Sequence, residues 1–262
     1  MWFSKYDLLS LAFSKVLLCA SKSLSLKSFL PAGFSCKAVE HAIQRFSITT
    51  NCLIYDPFCG TGTTNIVAKS RGINSVGVES HPFIFFVAKT KIYWSYRLDK
   101  VISALEAIES IAKRDDVTER RLQSEFPELV YKCFSKSTLK DLYVIREAIK
   151  AVQLSESYVD FFNLALTCIL RTVANVATGW PYIAPDKKKN GKEKDVFRTF
   201  FDMVIKMLGD IERVKRDVPK QVGCRILNID ARDTTGHIKN ESVDFIFTSP
   251  PYLNNYDYAD RT

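Results

Sequence analysis

Residues 52–69 read Cys-Leu-Ile-Tyr-Asp-Pro-Phe-Cys-Gly-Thr-Gly-Thr-Thr-Asn-Ile-Val-Ala-Lys. A short apolar run leads into a turn that contains Gly60 and Gly62, and a helix-like stretch follows from Thr63. This order of strand, glycine turn and helix is the βα unit that lets a backbone approach a nucleotide-like ligand closely. The stretch is neither a Rossmann fingerprint, because a third glycine is missing, nor a P-loop, because no Gly-Lys-Ser/Thr follows.

Two further strand-like runs each end in an acidic residue. Residues 74–78 lead to Glu79, and residues 224–229 lead to Asp230. A carboxylate at the tip of the strand that follows a glycine turn suits ribose hydroxyls, because an ionised acid accepts hydrogen bonds from both of them. Glu79 is therefore the candidate for binding a ribose. The nearby Asp233 is better explained as a turn or helix-capping residue.

A fourth strand-like run, residues 243–247, opens the sequence Phe-Thr-Ser-Pro-Pro-Tyr at 247–252. Consecutive prolines lack backbone donors and fix their φ angles, so the strand must stop there and leave its last carbonyls and the Ser249 hydroxyl facing a rigid pocket. Such a pocket accepts hydrogen bonds but scarcely donates them. It suits the amino group of a nucleobase, which brings N–H donors and an aromatic face on which Tyr252 can stack.

Together these motifs resemble those of the amino-methyltransferases of DNA. The stretch Asp-Pro-Phe-Cys-Gly-Thr-Gly-Thr-Thr at 56–64 is similar to their S-adenosyl-L-methionine loop, and Thr-Ser-Pro-Pro-Tyr at 248–252 is similar to the motif of their cytosine-N4 branch. The resemblance implies an α/β fold with a Rossmann-like sheet, and S-adenosyl-L-methionine as cofactor. The implied cofactor-binding residues are Phe34, Ser35, Asp56, Phe58, Gly60, Gly62, Glu79 and Asp230.

The resemblance also implies roles for some of these residues. In the family, an acid in the place of Asp230 accepts from the adenine amino group of the cofactor. A segment in the place of Phe34 and Ser35 closes over the methionine end of the cofactor. The implied reaction transfers a methyl group to the exocyclic N4 of a cytosine flipped out of double-stranded DNA, within a restriction-modification system. The catalytic candidates are Ser249, Pro250, Pro251 and Tyr252.

Three other functions stay open. The first is the same reaction on adenine N6, because the pocket motif of that branch usually begins with Asp or Asn where this chain has Ser249. The second is methylation of an RNA base, which shares the pocket chemistry. The third is an inactive or split subunit that binds nucleic acid and needs a second polypeptide for activity.

Bulk properties favour an acidic partner and a reducing compartment. The chain has 262 residues, a net charge of +8 and a pI near 9.0, which suits a nucleic acid backbone. Its seven cysteines are scattered without a C-x-x-C, and no H-x-x-x-H occurs, so we expect reduced thiols, no metal and a cytoplasmic protein. Residues 8–18 are apolar but interrupted by Ser14 and Lys15, which favours a packed helix over a signal peptide.

The strand-like runs lie at 52–55, 74–79, 224–229 and 243–247, and helices are predicted near 63–71 and 82–96. More than a hundred residues between the second and third strands keep almost entirely helical spacing, including a helix predicted to be capped by Ser137. Because a doubly wound unit needs one crossover helix there, the surplus predicts an inserted helical subdomain. The predicted divisions are an N-terminal helix and cofactor-binding half at 1–96, the insertion at 97–220, and the third and fourth strands at 221–262.

Two expectations concern partners. Residues 185–194 form a basic segment rich in helix and strand breakers, which predicts a loop whose Lys187, Lys188 and Lys189 neutralise DNA phosphates without reading sequence. The family resemblance also implies further strands after the fourth one. We therefore expect strands in the order 3-2-1-4 with the fourth as an open edge, in a chain truncated at its C-terminus or completed by a second polypeptide.

Overall fold

The computed structural model describes residues 35–114, 122, 125–178, 183–188, 193–215, 218 and 222–250, and only the backbone of 177–178 and 183–188. The described residues fall into two compact units, one within 95–208 and one formed by 35–94 together with 209–250. Their helices and strands, in chain order, are α1 (Cys36–Arg45), β1 (Leu53–Asp56), α2 (Thr63–Ser70), β2 (Asn74–Val78), α3 (Pro82–Ile92), α4 (Leu98–Arg114), α5 (Glu128–Cys133), α6 (Lys136–Ala151), α7 (Glu156–Val173), β3 (Val176–Thr178), β4 (Ile183–Lys188), α8 (Val196–Lys215), β5 (Cys224–Leu227) and β6 (Phe245–Ile246).

The sheet unit is built on four parallel strands in the order β5-β2-β1-β6. Counted along the chain, this is the predicted order 3-2-1-4, so the predicted α/β Rossmann-like class is confirmed. The strand β1 pairs with β2 from Leu53 opposite Asn74 to Asp56 opposite Gly77. Its other side pairs with β6 at Ile54 and Tyr55. The strand β1 lies one residue later than its predicted run, and β2, β5 and β6 are one to three residues shorter than theirs.

The strand order creates a switch point beside β1. From β1 the chain moves outward through β2 to β5, and it then crosses to the opposite side of β1 to form β6. In such open parallel sheets, ligands bind outside the carboxyl ends of the strands where the order reverses. The residues that follow β1 and β6 therefore lie at the place where such a sheet binds its ligand.

Helices cover the sheet through short-range signals and a shared apolar core. Ser35 caps α1 by accepting from the Lys37 N–H at 3.2 Å, and Pro82 stands at the first turn of α3 behind the capping residue His81. The buried core at this place consists of Cys36, Val39, Ile43, Ile54, Val67, Ala68 and Ile73. It comes from α1, α2, β1 and the turn before β2, so the helix α1 is fixed against the strand that leads into the glycine turn.

The second unit is mainly helical, as predicted. The helix α7 is buried along most of its length, and Tyr96 packs on Phe161 with ring centroids 4.7 Å apart. The helix α6 begins two residues earlier than predicted, because Ser135 rather than Ser137 caps it by accepting from the Thr138 N–H at 3.1 Å. No described helix of either unit combines the length and apolar character needed to cross a bilayer.

One part of the insertion differs from the sequence prediction. Strands β3 and β4 form an antiparallel pair where helix and loop were predicted, with an irregularity in register between Val176 and Ala177. Residues 185–188 therefore lie in a strand, and the prediction of a loop is wrong for them. The pairing partner, β3, could not be predicted from the charges and breakers of the basic segment itself.

Candidate cofactor and base-binding site

The candidate site lies at the carboxyl edge of the sheet, where the four strand ends meet. Asp56 ends β1, Glu79 follows β2, Asp230 follows β5 and Ser249 follows β6. Because all four strands are parallel, these residues share one edge of one unit. The sequence motifs that lie far apart in the chain are thus brought to the same end of the sheet.

The glycine turn has a backbone shape that depends on its glycines. Gly60 has φ +52° and Gly62 has φ +80°, a region that side chains with a Cβ rarely occupy. The Cys59 N–H donates to the Val78 carbonyl at 3.0 Å, which joins the turn to β2. Gly62 caps α2 without a side-chain hydrogen bond, so the N-terminal turn of this helix begins next to the glycines.

Asp56 faces the protein interior and holds the glycine turn. Its side chain is fully buried, with Oδ2 accepting from the Thr64 hydroxyl at 2.6 Å and Oδ1 from the Phe58 N–H at 3.2 Å. Burial raises the pKa of Asp56, while the Thr64 and Thr248 hydroxyls and the Phe58 N–H oppose that rise. Thr248 is near enough to act on this carboxyl, yet its buried Oγ1 has no well-formed hydrogen bond among the described groups.

Glu79 lies half-buried at the end of β2. Its Oε1 accepts from the His81 N–H at 2.8 Å, and burial raises the pKa of Glu79. The N–H groups of His81 and Gly60 partly oppose that rise. Asn228 joins the ends of β2 and β5, since its Nδ2 donates to the carbonyls of Glu79 at 2.8 Å and Ser80 at 3.1 Å. A carboxylate on a braced strand end can accept hydrogen bonds from a vicinal diol.

Asp230 differs from the other two acids because its side chain is 41% exposed and is paired with Arg232. Its two oxygens accept from the Arg232 guanidinium, Oδ1 from Nε at 3.0 Å and Oδ2 from Nη2 at 2.8 Å. The side-chain hydrogen bonds from Arg232 lower the pKa of Asp230 to about 2. Asp233 lies in the turn as expected, with its N–H donating to the Asp230 carbonyl at 2.9 Å.

The start of the base-pocket motif is held next to β1. The Asp244 carboxylate accepts from the Leu53 N–H at 2.7 Å, and the Phe247 N–H donates to the Tyr55 carbonyl at 3.1 Å. Ser249 is half-buried and Pro250 is exposed. These contacts bring the beginning of the Ser-Pro-Pro segment to the side of β1 opposite β2. Pro251 and Tyr252 lie outside the described residues.

The remaining predicted site residues are not among the strand ends described above. The Ser35 hydroxyl serves as the cap of α1, and Phe58 is 41% exposed beside the glycine turn. Lys187 and Lys188 lie on β4 in the helical unit, whereas Phe34 and Lys189 lie outside the described residues. Within the described part of the chain, no group of three or more His, Cys, Asp or Glu side chains could hold a metal ion.

Several supporting residues were missed by the sequence reasoning: Thr64, Lys91, Asn228 and Asp244. For Lys91 a signal existed, because it follows Phe83 and Val87 at helical spacing and so shares their buried face. Nothing in the local sequence distinguished Asn228, whose partners come from another strand. These residues fix the backbone that presents the candidate site.

A parallel sheet with a glycine turn at its switch point and acids at neighbouring strand ends defines the class of α/β proteins that bind nucleotide-like ligands. A family model for N6/N4 methyltransferases, described as DNA methylase, matches residues 12–90, which contain the glycine turn and Glu79. This match and the relatives below support the resemblance of the motifs to those of the N4/N6 amino-methyltransferases of DNA.

Two curated relatives show the extent of the similarity. The chain is 26% identical to the Type II methyltransferase M.BsoBI of Geobacillus stearothermophilus over 92% of its own length and 52% of that protein. It is 35% identical to the Type II methyltransferase M.MjaII of Methanocaldococcus jannaschii over 24% of its own length and 12% of that protein. The chain thus spans about half of the first relative and less of the second. No solved structure matches it significantly.

Proposed function

We propose that this chain carries out, or forms part of a protein that carries out, methyl transfer from S-adenosyl-L-methionine to the exocyclic N4 of cytosine in DNA. Its place would be in a restriction-modification system, as the Type II names of its relatives suggest. The proposal is supported chiefly by one observation: the glycine turn after β1 and the Ser249 segment after β6 flank the switch point of one sheet.

The residues at this edge fit the proposed cofactor. Backbone at Gly60 and Gly62 has no side chain to obstruct a close approach, and Glu79 provides a carboxylate for ribose hydroxyls. Asp230 provides the acceptor for an adenine amino group in this proposal. Asp56 has a supporting part, because its oxygens are directed to Thr64 and Phe58 within the turn. The sulfonium of the bound cofactor supplies the methyl group and the leaving group.

The proposed chemistry depends on placement of the base. The lone pair of the cytosine amine is delocalised into the ring, so the amine must be oriented to act as a nucleophile. We assign the Ser249 hydroxyl and the Pro250 carbonyl to accept its hydrogens, which favours a pyramidal nitrogen. The consecutive prolines keep this segment rigid, and Tyr252 stacks on the flipped base.

The test of this assignment is nucleoside mass spectrometry of DNA from cells that express the gene with its natural neighbours. We expect N4-methylcytosine, and Ser249→Ala is expected to reduce its amount strongly while calorimetric binding of S-adenosyl-L-methionine to the purified chain stays nearly unchanged. A matched control is Ser242→Ala, since the Ser242 hydroxyl donates to the Lys239 carbonyl before β6. Equal methylation by the Ser249 and Ser242 variants would contradict the assignment.

Adenine N6 remains the alternative target. It differs from the proposed one by a single feature of the sequence, Ser249 where an acid or amide is usual in the adenine branch. Detection of N6-methyladenine alone in the same nucleoside analysis would replace the cytosine proposal by this alternative.

A split or inactive subunit is a second alternative, and the edge of the sheet favours it. Ile246 on β6 is 58% exposed, and Phe46, whose ring centroid lies 5.4 Å from that of Phe245, is 59% exposed. Exposed apolar groups on an edge strand are a surface on which a further strand can pair. Purified chain that binds cofactor but methylates DNA only after the product of the adjacent gene is added would support this alternative.

For the basic segment we propose contact with the DNA backbone. Lys187 and Lys188 follow one another on β4, and each cation that neutralises a phosphate releases condensed counterions. Replacing Lys187, Lys188 and Lys189 together should weaken binding to all DNA sequences alike and reduce the slope of log affinity against log salt. An unchanged slope would leave this segment without a role in DNA binding.

A further inference from the structure

A buried lysine lies directly under the glycine turn. Lys91, in the last turn of α3, is 8% exposed, and its Nζ donates to the Thr61 carbonyl at 3.0 Å and approaches the Thr61 hydroxyl at 3.4 Å. Thr61 is the residue between Gly60 and Gly62. Lysine is among the residues least often buried, and a buried ammonium requires acceptors for its donors. The carbonyl of the glycine turn is one of the acceptors that make its burial possible.

The backbone of Lys91 is also held, by a contact at the end of α3. Trp94 is buried, and its Nε1 donates to the Lys91 carbonyl at 2.8 Å. This contact fixes the end of α3 from which the Lys91 side chain extends. Ala88, one turn earlier on the same face of α3, lies against Gly62, where an added Cβ would stand 3.4 Å from the Ala88 Cβ. The helix α3 therefore contacts two successive residues of the turn, Thr61 through Lys91 and Gly62 through Ala88.

Support from α3 matters because two glycines leave the backbone of the turn able to adopt several conformations. Gly60 and Gly62 both have positive φ, and glycines have more accessible conformations than other residues. A segment with that freedom keeps one conformation only where surrounding contacts select it. Asp56 stabilises the observed conformation by accepting from the Phe58 N–H, and Lys91 stabilises it by donating to the Thr61 carbonyl.

We propose that Lys91 is a positioning residue that holds Gly60, Thr61 and Gly62 in the conformation that binds S-adenosyl-L-methionine. This inference rests on the proposed function, since it concerns the cofactor of that same site. Lys91 acts through the Thr61 carbonyl and is not itself assigned a contact with the cofactor.

The test begins with Lys91→Met, which keeps the length and apolar stem of the side chain and removes the ammonium. Calorimetric affinity for S-adenosyl-L-methionine should fall about tenfold, the loss expected when one charge-assisted hydrogen bond is removed. Lys91→Arg retains a cationic donor and should recover part of that affinity. In a turnover assay with the complete enzyme, the KM for cofactor should rise by a similar factor while kcat at saturation stays unchanged.

Lys69→Met is the matched control within the same unit. The Lys69 Nζ donates to the Ile92 carbonyl at 2.7 Å and lies 4.6 Å from the Trp94 ring centroid. Both lysines thus donate to a backbone carbonyl, but only Lys91 contacts the glycine turn. Lys69 is half-buried whereas Lys91 is buried. If loss of an ammonium that donates to a backbone carbonyl acts merely by lowering stability, both Met variants should lose cofactor affinity.

Hydrogen exchange measured without cofactor separates the inference from the proposed function. Peptides that contain Cys59 to Gly62 should exchange faster in Lys91→Met and remain unchanged in Lys69→Met. Unchanged cofactor affinity in Lys91→Met, with a wild-type chain that binds, would overturn the inference alone. A wild-type chain that binds no S-adenosyl-L-methionine would overturn the proposed function together with the cofactor role of Lys91.

Discussion

Asp56 and Asp230 are acids at the carboxyl ends of two strands of one sheet, yet they are in opposite electrostatic states. Asp56 is fully buried, and burial raises the pKa of its carboxyl. Asp230 is exposed, and hydrogen bonds from Arg232 lower the pKa of its carboxyl to about 2. An acid after a strand therefore does not by itself indicate a ligand contact. The two acids differ in the donors that use their oxygens: those of Asp56 are groups in and beside the glycine turn, whereas those of Asp230 belong to the exposed Arg232.

The difference follows from where each residue stands relative to the pleat. Asp56 is still part of β1 and lies on the same face as Ile54, so it is directed into the interior. Asp230 comes after β5 has ended and is free of that alternation. The buried acid consequently organises the glycine turn, whereas the exposed acid remains accessible to a ligand that can compete with Arg232.

The largest expected effect tests the turn that the buried acid supports. Gly60→Val places a β-branched residue at φ +52°, and its side chain would occupy the space assigned to cofactor. We expect calorimetry of the folded variant to detect no binding of S-adenosyl-L-methionine. Gly236→Val is the control, because Gly236 has φ +80° with nothing within 4 Å of an added Cβ. That variant should lose about 1–2 kcal/mol of stability from backbone strain and keep its affinity.

The next prediction sets the two acids against each other directly. Asp56→Ala leaves the Thr64 hydroxyl and the Phe58 N–H without their acceptor, and should lower the free energy of unfolding by about 2 kcal/mol in denaturant titrations. Asp56→Asn, which keeps one carbonyl oxygen, should lose less. Asp230→Ala should leave the free energy of unfolding unchanged within error. Similar losses for the two Ala variants would remove the distinction between a supporting and an exposed acid.

Glu79 offers a pH test of intermediate size. Burial raises the pKa of Glu79 above its ordinary value of 4.5. If its ionised form accepts the ribose hydroxyls, cofactor affinity should be highest above the raised pKa and should fall as the pH drops through that pKa. The midpoint of this fall should therefore lie above pH 4.5. Glu79→Gln should bind more weakly with a flatter profile in calorimetry. A wild-type profile as flat as that of the Gln variant would exclude this carboxyl from binding.

Much of the sheet unit could be predicted because its signals are local. The glycine turn, the acids after β2 and β5, and the proline pair after β6 each lie within a few residues of the strand that presents them. The strand order was predicted from the resemblance of those motifs to a family of known topology. The burial of Asp56 was also accessible, since it follows Ile54 by two residues in a strand.

The remaining features depend on partners distant in sequence. Lys91 and Thr61 are 30 residues apart, and Asn228 contacts the Glu79 carbonyl across 149 residues. The antiparallel pair of β3 and β4 likewise arises from pairing that the charges and the proline of residues 183–188 do not indicate. Such contacts are decided by packing in the folded chain, so a local reading gave a loop where a strand forms.

The smallest expected effect concerns the exposed acid. Arg232→Ala removes the side-chain hydrogen bonds that contribute most to lowering the pKa of Asp230, but it retains the N–H of residue 232, which donates to Oδ1 at 2.9 Å. A carboxyl-carbon NMR titration should therefore show the pKa of Asp230 rising from about 2 only part of the way to the ordinary 3.8.

Arg225→Ala is the matched control for that titration, because it removes the same charge while Arg225 Nη2 donates to the His237 carbonyl at 2.6 Å rather than to Asp230. Since the pKa of Asp230 is lowered in the folded chain, any stability from the Arg232 pair is present above the ordinary pKa and is lost as pH falls through about 2. Removing Arg232 should abolish that contribution and leave only the smaller one from the N–H of residue 232. Equal shifts of the Asp230 pKa in both variants would instead attribute the effect to net charge, and Asp230 would then have no specific partner for a cofactor to displace.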